Sequence, residues 1–384
     1  MPMVYNWQLG REMFYPFEGV RPKRQFAAVF NINRCIACQT CTMACKSTWT
    51  FSKGQEHMWW NNVETKPYGG YPHHWDLQIL KMLGDGQTWV NGVYKGKTIY
   101  EAAPEGKQVL GVIKPEEDWR FPNWYQDVSA SILREKTTWS GTTSSFTDKA
   151  DLEDPVNPVH ENFFYYLQRI CNHCTYPSCG SVCPRKAIYK RPEDGIVLID
   201  QSRCRGYREC VTGCPYGKSL YNPVTRVSEK CIACYPRVEQ GIVTRCIAAC
   251  VGKIRLQGWI KPPDEAIPDS PMDYLVHIAK IAKPLYPQYG CEGNIYYIPP
   301  RWVPRAYLDQ MFGPGVDTAI ENYTHPSHET LGVLQLFGTT QKIIERFRVT
   351  EKDAIGYDMS GHEIIRVPIM EPFIIRPSFR HNTS

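Results

Sequence analysis

The sequence lacks several features that would place a protein in a class at once. Residues 1–7 contain no basic stretch followed by an apolar one, so we expect no signal peptide. No stretch is long and apolar enough to predict a membrane span. Neither a G-x-G-x-x-G fingerprint nor a P-loop is found, which argues against a nucleotide-binding enzyme. If the protein works at or beyond a membrane, we therefore expect a partner to bring it there.

An excess of charge of one sign is also missing. The net charge is only +5 over 384 residues, so no nucleic-acid partner is expected. Apolar residues make up 42% of the chain, enough for a core, and the 22% charged residues are mixed in sign, unlike those of a disordered chain. The 30 prolines and 28 glycines predict many turns and loops.

Cysteine, by contrast, is abundant. Fifteen of the 16 cysteines fall into four runs, and Cys291 stands apart, where we expect a buried free thiol. The runs are Cys35, Cys38, Cys41 and Cys45; Cys171, Cys174, Cys179 and Cys183; Cys204, Cys210 and Cys214; and Cys231, Cys234, Cys246 and Cys250. The second and third runs end in Cys-Pro, as in bacterial ferredoxins.

Two other uses of cysteine fit these runs less well. Disulfide frameworks are typical of small secreted chains, and this chain is large. Structural zinc fits a C-x2-C pair but not the C-x2-C-x2-C-x3-C spacing of the first run. We therefore predict iron–sulfur binding by all four runs. The fourth is the least regular, because eleven residues separate Cys234 from Cys246.

The third run is one thiol short. Tyr207 stands where a complete run would have cysteine, and a phenol is not a soft thiolate ligand. Three ligands suit a [3Fe-4S] cluster. The alternative is a cubane whose fourth iron takes water, hydroxide or the Tyr207 phenolate. Fifteen thiolates in the runs match three [4Fe-4S] clusters and one [3Fe-4S] cluster.

Strand patterns around the runs predict how they pair. Residues 187–190 and 196–200 predict a hairpin between the second and third runs, which would form one two-cluster module. Predicted strands at 26–32 and 253–259 flank the first and fourth runs, which would form a second module around the first. The predicted fold class is therefore α+β, with two nested bacterial-ferredoxin-like modules, loop-rich insertions and a C-terminal extension.

The predicted domain bounds follow from this nesting. They are 1–50 with 225–262 for the outer module, 51–160 for a Trp/Tyr/Gly/Pro-rich insertion, 161–224 for the inner module, and 263–384 for an extension that makes subunit contacts. We also expect a short aromatic helix over residues 161–169, and residues 328–347 have apolar positions at helical spacing.

Four ligand sets follow if the last cysteine of each run binds the other cluster of its module. Site 1 is Cys35, Cys38, Cys41 and Cys250; site 2 is Cys45, Cys231, Cys234 and Cys246; site 3 is Cys171, Cys174, Cys179 and Cys214; site 4 is Cys183, Cys204 and Cys210, with Tyr207 at the vacant corner of the three-iron cluster. We expect His173 to hydrogen-bond beside site 3 rather than to bind iron.

Further stretches, together with the cysteine layout, carry a likeness to known proteins. They are residues 4–11, 30–35, 46–71, 169–177, 184–200 and 298–302. The chain resembles the beta subunits of the dimethyl sulfoxide reductase superfamily, which include those of nitrate reductase and nitrite oxidoreductase. The Trp/Tyr-rich part of 46–71 most resembles nitrite oxidoreductase, although those chains often carry aspartate where this chain has Cys45.

This resemblance implies a division of labour. A molybdopterin-containing alpha subunit would hold the catalytic site, and this chain, with none of its own, would pass electrons singly to a haem b gamma or membrane subunit, or to a cytochrome. Site 1 would face the alpha subunit and site 4 the haem end. The complex would be membrane-associated through its partners, in the periplasm or an equivalent compartment after export with the alpha subunit.

The resemblance favours nitrite oxidation to nitrate as the reaction of the complex. The alternatives are nitrate, selenate or (per)chlorate reduction and ethylbenzene dehydrogenation. From the residues alone two other classes stay open. One is an enzyme that uses the open corner of site 4, and the other is a scaffold with redox-inert clusters.

Overall fold

The computed structural model describes residues 3–17, 21–67, 75–111, 137–139, 142–144 and 163–370. The strands there are β1 Met3–Asn6, β2 Arg11–Phe14, β3 Gln25–Asn31, β4 Asn62–Lys66, β5 Trp89–Val90, β6 Val93–Tyr94, β7 Thr137–Trp139, β8 Thr142–Ser144, β9 Tyr165–Arg169, β10 Ile188–Lys190, β11 Val197–Ile199, β12 Ser219–Asn222, β13 Val227–Lys230, β14 Arg255–Ile260, β15 Lys283–Pro284, β16 Ile295–Ile298, β17 Arg346–Val349, β18 Asp353–Tyr357 and β19 Glu363–Pro368.

The helices of the same described residues are short, and most have fewer than nine residues. They are α1 Thr40–Trp49, α2 Trp75–Leu83, α3 Ser178–Ser181, α4 Glu209–Gly213, α5 Tyr235–Val238, α6 Arg245–Ala248, α7 Pro271–Asp273, α8 Arg305–Phe312, α9 Val316–Thr324 and α10 His328–Gln335. None of these helices has the length and apolarity needed to cross a bilayer.

A four-stranded sheet in the order β14–β3–β16–β15 lies at the centre of the described chain. Strand β3 is buried along its whole length and pairs antiparallel with β14, with Phe30 opposite Arg255. This pair confirms the two strands predicted next to the first and fourth cysteine runs. Successive β3 side chains point to opposite faces, so Phe26 and Phe30 join one apolar core while Ala27 and Val29 join another.

Three two-stranded sheets surround the cysteine runs. The predicted hairpin is confirmed as β10–β11, in which Ile188 lies opposite Ile199. Hairpin β12–β13 follows the third run. The short helix expected over residues 161–169 is wrong, because 165–169 form β9, which pairs antiparallel with β4. Aromatic side chains favour strands, and the partner that decides the matter lies about 100 residues earlier in the chain.

The second core is covered by what we call the C-terminal layer, residues 327–370. It comprises α10 and the three-stranded sheet β17–β18–β19. The helical spacing over residues 328–347 holds only to Gln335, and Phe347 lies in β17. Much of the predicted 51–160 insertion, and residues 371–384, lie outside the described residues.

A buried ion-pair network joins β4, α2 and β9. The Lys66 Nζ lies 2.6 Å from Asp76 Oδ2, and the Arg169 guanidinium lies 2.6 Å from Glu64 Oε2. The Trp75 ring lies between the pairs, with the Arg169 guanidinium 4.0 Å from its centroid. The network holds the segment after the first cysteine run against the strand before the second, without using a cysteine.

Candidate metal centres

The four thiols of site 3 line one pocket. Cys171 and Cys174 lie in the loop after β9, Cys179 lies on α3, and Cys214 immediately follows α4. The backbone N–H of Lys218 donates to Cys214 Sγ at 3.5 Å. Segments far apart in sequence thus present sulfur atoms to one space.

Site 1 has the same construction. Its four thiols, Cys35, Cys38, Cys41 and Cys250, line one pocket. Cys41 lies on α1, and Cys250 follows α6, so the first and fourth runs meet here as their predicted pairing requires. The Arg255 guanidinium also lines this cavity and donates to Cys41 Sγ at 3.0 Å.

Site 4 presents three thiols and one phenol. Cys183, Cys204 and Cys210 line one pocket together with Tyr207, which is 60% exposed. The backbone N–H of Ala187 donates to Cys183 Sγ at 3.3 Å. The open side of the three-thiol site is therefore the side that carries tyrosine.

The site 2 thiols are neighbours across the packed pair α1 and α6. Burial raises the pKa of Cys45, and Cys246 and Cys234 raise it further, so these three groups lie close together. The pKa of Cys231 is raised by burial and by other thiols, Cys45 among them. The indole N–H of Trp49 donates to Cys234 Sγ at 3.1 Å. The structure thus brings together all four predicted members of this set.

The four sites follow one another in numerical order. Burial is the main cause of the raised pKa values of Cys179, Cys231 and Cys246. A thiol of the adjacent site raises each of these three pKa values further. Cys41 of site 1 raises the pKa of Cys246 in site 2, and Cys171 of site 3 raises that of Cys231 in site 2. Cys179 of site 3 and Cys210 of site 4 pack in one apolar cluster.

The cysteine loops, residues 35–45, 171–183, 204–214 and 231–250, have strained backbone. Each contains at least one non-glycine residue with positive φ: Ala37, Gln39, His173, Arg208, Ala233 and Cys234. Such conformations cost about 1–3 kcal/mol each and persist only where the surroundings enforce them. A rigid group bound to the thiols would enforce them.

The donor chemistry fits iron–sulfur clusters better than a single ion. Within the described ranges, no three Cys, His, Asp or Glu side chains are placed to bind one metal ion. Each thiolate of a cluster binds a different iron, so its sulfurs stand further apart than the ligands of one zinc. Burial raises the pKa of Cys214 to about 11, so its thiolate needs a bound cation such as iron.

His173 and Cys291 lie beside site 3. His173 is fully buried, and its Nδ1 accepts the N–H of Val197 at 3.1 Å, so Nε2 carries the proton. Burial lowers its pKa well below the usual value. The prediction of a hydrogen bond beside the cluster stays a prediction. Cys291 is a fully buried thiol outside any disulfide, as expected, and lies 3.4 Å from the Tyr100 hydroxyl.

Three buried basic residues beside the thiols were missed by the sequence reasoning. Lys218 lines site 3, Lys230 lies near Cys171 and Cys231, and Arg255 lies near Cys41. Burial lowers the pKa of Lys218 to about 7. A basic residue at an inward position of a buried strand, such as the start of β14, is the signal that would have found Arg255.

Comparisons with known proteins agree with this geometry. The family model of a 4Fe-4S dicluster domain matches residues 162–259. The chain is 39% identical to the selenate reductase subunit beta of Thauera selenatis and 40% identical to the chlorate reductase subunit beta of Ideonella dechloratans, each over 78% of this chain and 89% of the relative. It is 32% identical to the respiratory nitrate reductase 1 beta chain of Escherichia coli, over 72% of this chain and 69% of the relative.

Proposed function

The chain belongs to the family of iron–sulfur beta subunits of the selenate, chlorate, perchlorate and nitrate reductases, and on that premise we propose that it is the electron-transfer subunit of a molybdenum oxidoreductase. The catalytic site lies on a molybdopterin-containing alpha subunit, and a haem b gamma or membrane subunit, or a cytochrome, exchanges electrons at the other end. The partners keep the complex at a membrane, on the periplasmic or an equivalent side.

Sites 1, 2 and 3 hold [4Fe-4S] clusters in this proposal, and site 4 holds a [3Fe-4S] cluster. When bound, these clusters supply one-electron transfer. The observation that carries the proposal is the gathering of fifteen thiols into four adjacent groups, three of them around shared cavities. In this proposal the two modules are nested, which is supported by the meeting of the first and fourth runs at site 1 and of the second and third at sites 3 and 4.

The ends of the row suit contacts with partners. Ile36, beside site 1, is 66% exposed, and Val251, next to Cys250, is 63% exposed. Exposed apolar groups around a redox site are typical of protein interfaces. We assign this end to the alpha subunit. The other end of the row is site 4, where Tyr207 is exposed. We assign this end to the haem partner.

Nitrite oxidation to nitrate is the reaction we assign to the complex, on the resemblance of the Trp/Tyr-rich part of residues 46–71. The relatives serve reductases of selenate, chlorate and nitrate, so reduction of such an oxyanion is the alternative. Identification of the co-purifying large subunit, with assays of nitrite oxidation and of nitrate, selenate and chlorate reduction, separates the two.

The cluster assignment is tested by iron and sulfide analysis of the anaerobically purified complex after subtraction of the partners' content. We expect about 15 iron and about 16 sulfide per chain. Cys179→Ser should lower the iron content, whereas Cys291→Ser, at a cysteine that is also buried but lies outside the four sets, should not. About 8 iron per chain in a fully loaded preparation would contradict the assignment of sites 1 and 2.

A further inference from the structure

Arg255 is a buried charge between two candidate cluster sites. It is the first residue of β14 and is 1% exposed. Its guanidinium lies 4.4 Å from the ring centroid of Phe30, the residue opposite it in the sheet. One NH2 group donates to Cys41 Sγ of site 1 at 3.0 Å. The sheet thus fixes both the position and the direction of the side chain.

The rest of the guanidinium has no partner within the described protein. Its Nε and Nη1 atoms are buried and make no hydrogen bond there. A buried, unpaired donor on a charged group is costly, so these N–H groups need an acceptor that the protein itself does not supply. Arg255 lines the site 1 cavity, where the sulfide of a cluster would be that acceptor.

The same side chain lies next to site 2. Strand β14, which begins at Arg255, packs against α6, which carries Cys246, and Cys41 and Cys246 belong to one core cluster. In agreement with this packing, burial raises the pKa of the Cys246 thiol and the charge of Arg255 opposes that rise. Arginine stays protonated at every pH at which a protein is studied, so this is a fixed charge rather than a switch.

We propose that Arg255 is a shared charge partner of the clusters at sites 1 and 2, and that its positive charge favours their reduced states and raises both reduction potentials. The inference rests on the proposed function, since it needs clusters at those sites. Charge and hydrogen bonds to the sulfurs are established controls of cluster potential. Arg255 does not line site 3 or site 4: the cations that line site 3 are Lys218 and Lys230, and Arg185, Arg205 and Arg208 line site 4.

The test is a potentiometric titration of the anaerobic complex, followed by electron paramagnetic resonance. Arg255→Gln keeps an N–H donor and removes the charge. We expect its reduction equilibria at sites 1 and 2 to shift at least tenfold towards the oxidised clusters, a fall of 59 mV in midpoint potential, with sites 3 and 4 unchanged. Lys253→Gln removes a cation from an exposed position two residues earlier and should shift either equilibrium less than threefold.

Unchanged midpoints in an iron-loaded Arg255→Gln complex would overturn the proposal, as would an equal shift in Lys253→Gln. If Arg255→Gln does not take up iron, Arg255→Lys decides, because it keeps the charge and loses the planar fork. Equilibria within threefold of the wild type then support the proposal, and a tenfold fall overturns it. Iron analysis of the wild type tests the proposed function separately, so the two failures are distinguishable.

Discussion

The two faces of the central sheet are covered by different kinds of structure. On the face that carries Phe26 and Phe30, the core contains residues of α1, α2, α8 and α9 together with the cysteine loops, whose helices α3 to α6 have only four or five residues. On the face that carries Ala27 and Val29, the core is covered by the C-terminal layer, with the eight-residue α10 and a three-stranded sheet. After α1, the cysteine loops therefore have less regular structure than the C-terminal layer.

Backbone strain divides in the same way. The cysteine loops hold non-glycine residues at positive φ, whereas in the C-terminal layer every positive-φ residue is a glycine, Gly338 or Gly361. Glycine adopts that conformation without a Cβ clash, so the C-terminal layer stores none of this strain. The comparison teaches that packing and hydrogen bonds suffice in the C-terminal layer, while the cysteine loops need groups bound to their thiols.

Removal of the clusters should have the largest effect on stability, and it should act mainly on the cysteine loops. Metal binding contributes to folding free energy, and a structural metal site contributes on the order of 10 kcal/mol. We expect oxidative destruction of the clusters by ferricyanide, with a chelator to bind the released iron, to abolish amide-exchange protection in the cysteine loops while α10 and β17–β19 retain part of theirs. Hydrogen exchange read by mass spectrometry on peptides from both faces checks this.

The two faces supply each other's control in that experiment. Equal loss of protection in both would show that the sheet couples them fully. Native protection of residues 171–183 and 231–250 in the iron-free chain would contradict the inference that bound groups hold these loops.

A mutation in the ion-pair network measures how much stability the first face gains from contacts within the protein alone. Asp76→Asn should lower the free energy of unfolding by up to about 3 kcal/mol, because it removes the nearer of the two carboxylates that pair with the buried Lys66 and leaves only Glu64, at 3.4 Å. Chemical denaturation of the loaded protein measures it. Asp85→Asn on the exposed turn after α2 is the matched control and should cost less than about 0.5 kcal/mol.

The pH dependence of this difference has a definite sign. Burial alone would raise the pKa of Asp76, but the Lys66 charge and hydrogen bonds from Lys66 and Tyr286 outweigh it, and the pKa is lowered. A lowered carboxyl pKa gives stability that is present above the unfolded value, about 3.9, and is lost as the pH falls through the folded value. The Asp76→Asn difference should therefore be equal at pH 6 and pH 8. A difference that halves between them would contradict the ion pair.

Elements with a clear local sequence pattern could be predicted from the sequence. Elements whose structure depends on a partner distant in sequence could not. Strands β3 and β14 and the β10–β11 hairpin follow from apolar runs beside the cysteines. Strand β9 was predicted to be a helix, because its pairing with β4 cannot be read from the run itself. The gathering of the thiols followed from spacing, but the buried position of Arg255 did not, since arginine is usually exposed and its partners here come from other segments.

Tyr207→Cys compares the three-thiol site 4 with the four-thiol sites of the other cysteine loops. The backbone already places residue 207 at the site 4 cavity, so a thiolate there should recruit a fourth iron and raise the iron content by about one per chain. The oxidised wild type should show a near-isotropic resonance close to the free-electron g value, and the reconstituted variant should lose it. Tyr207→Phe, which adds no thiol, is the control and should keep the signal. An unchanged signal in a loaded Tyr207→Cys protein would mean that pocket shape excludes the fourth iron.

The smallest effect is expected on the other face, where ordinary helix capping should act without any cluster. Ser327 precedes α10, and its hydroxyl accepts the backbone N–H of Thr330 at 3.1 Å. Ser327→Ala removes that acceptor and should cost about 1 kcal/mol. Ser360→Ala, at an exposed turn between β18 and β19, is the control and should cost less than about 0.5 kcal/mol. Since the cap lies in the C-terminal layer, we expect faster amide exchange in α10 and unchanged exchange in the cysteine loops. Faster exchange in both would mean that the cysteine loops depend on the C-terminal layer for their stability, contrary to the division drawn between the two faces.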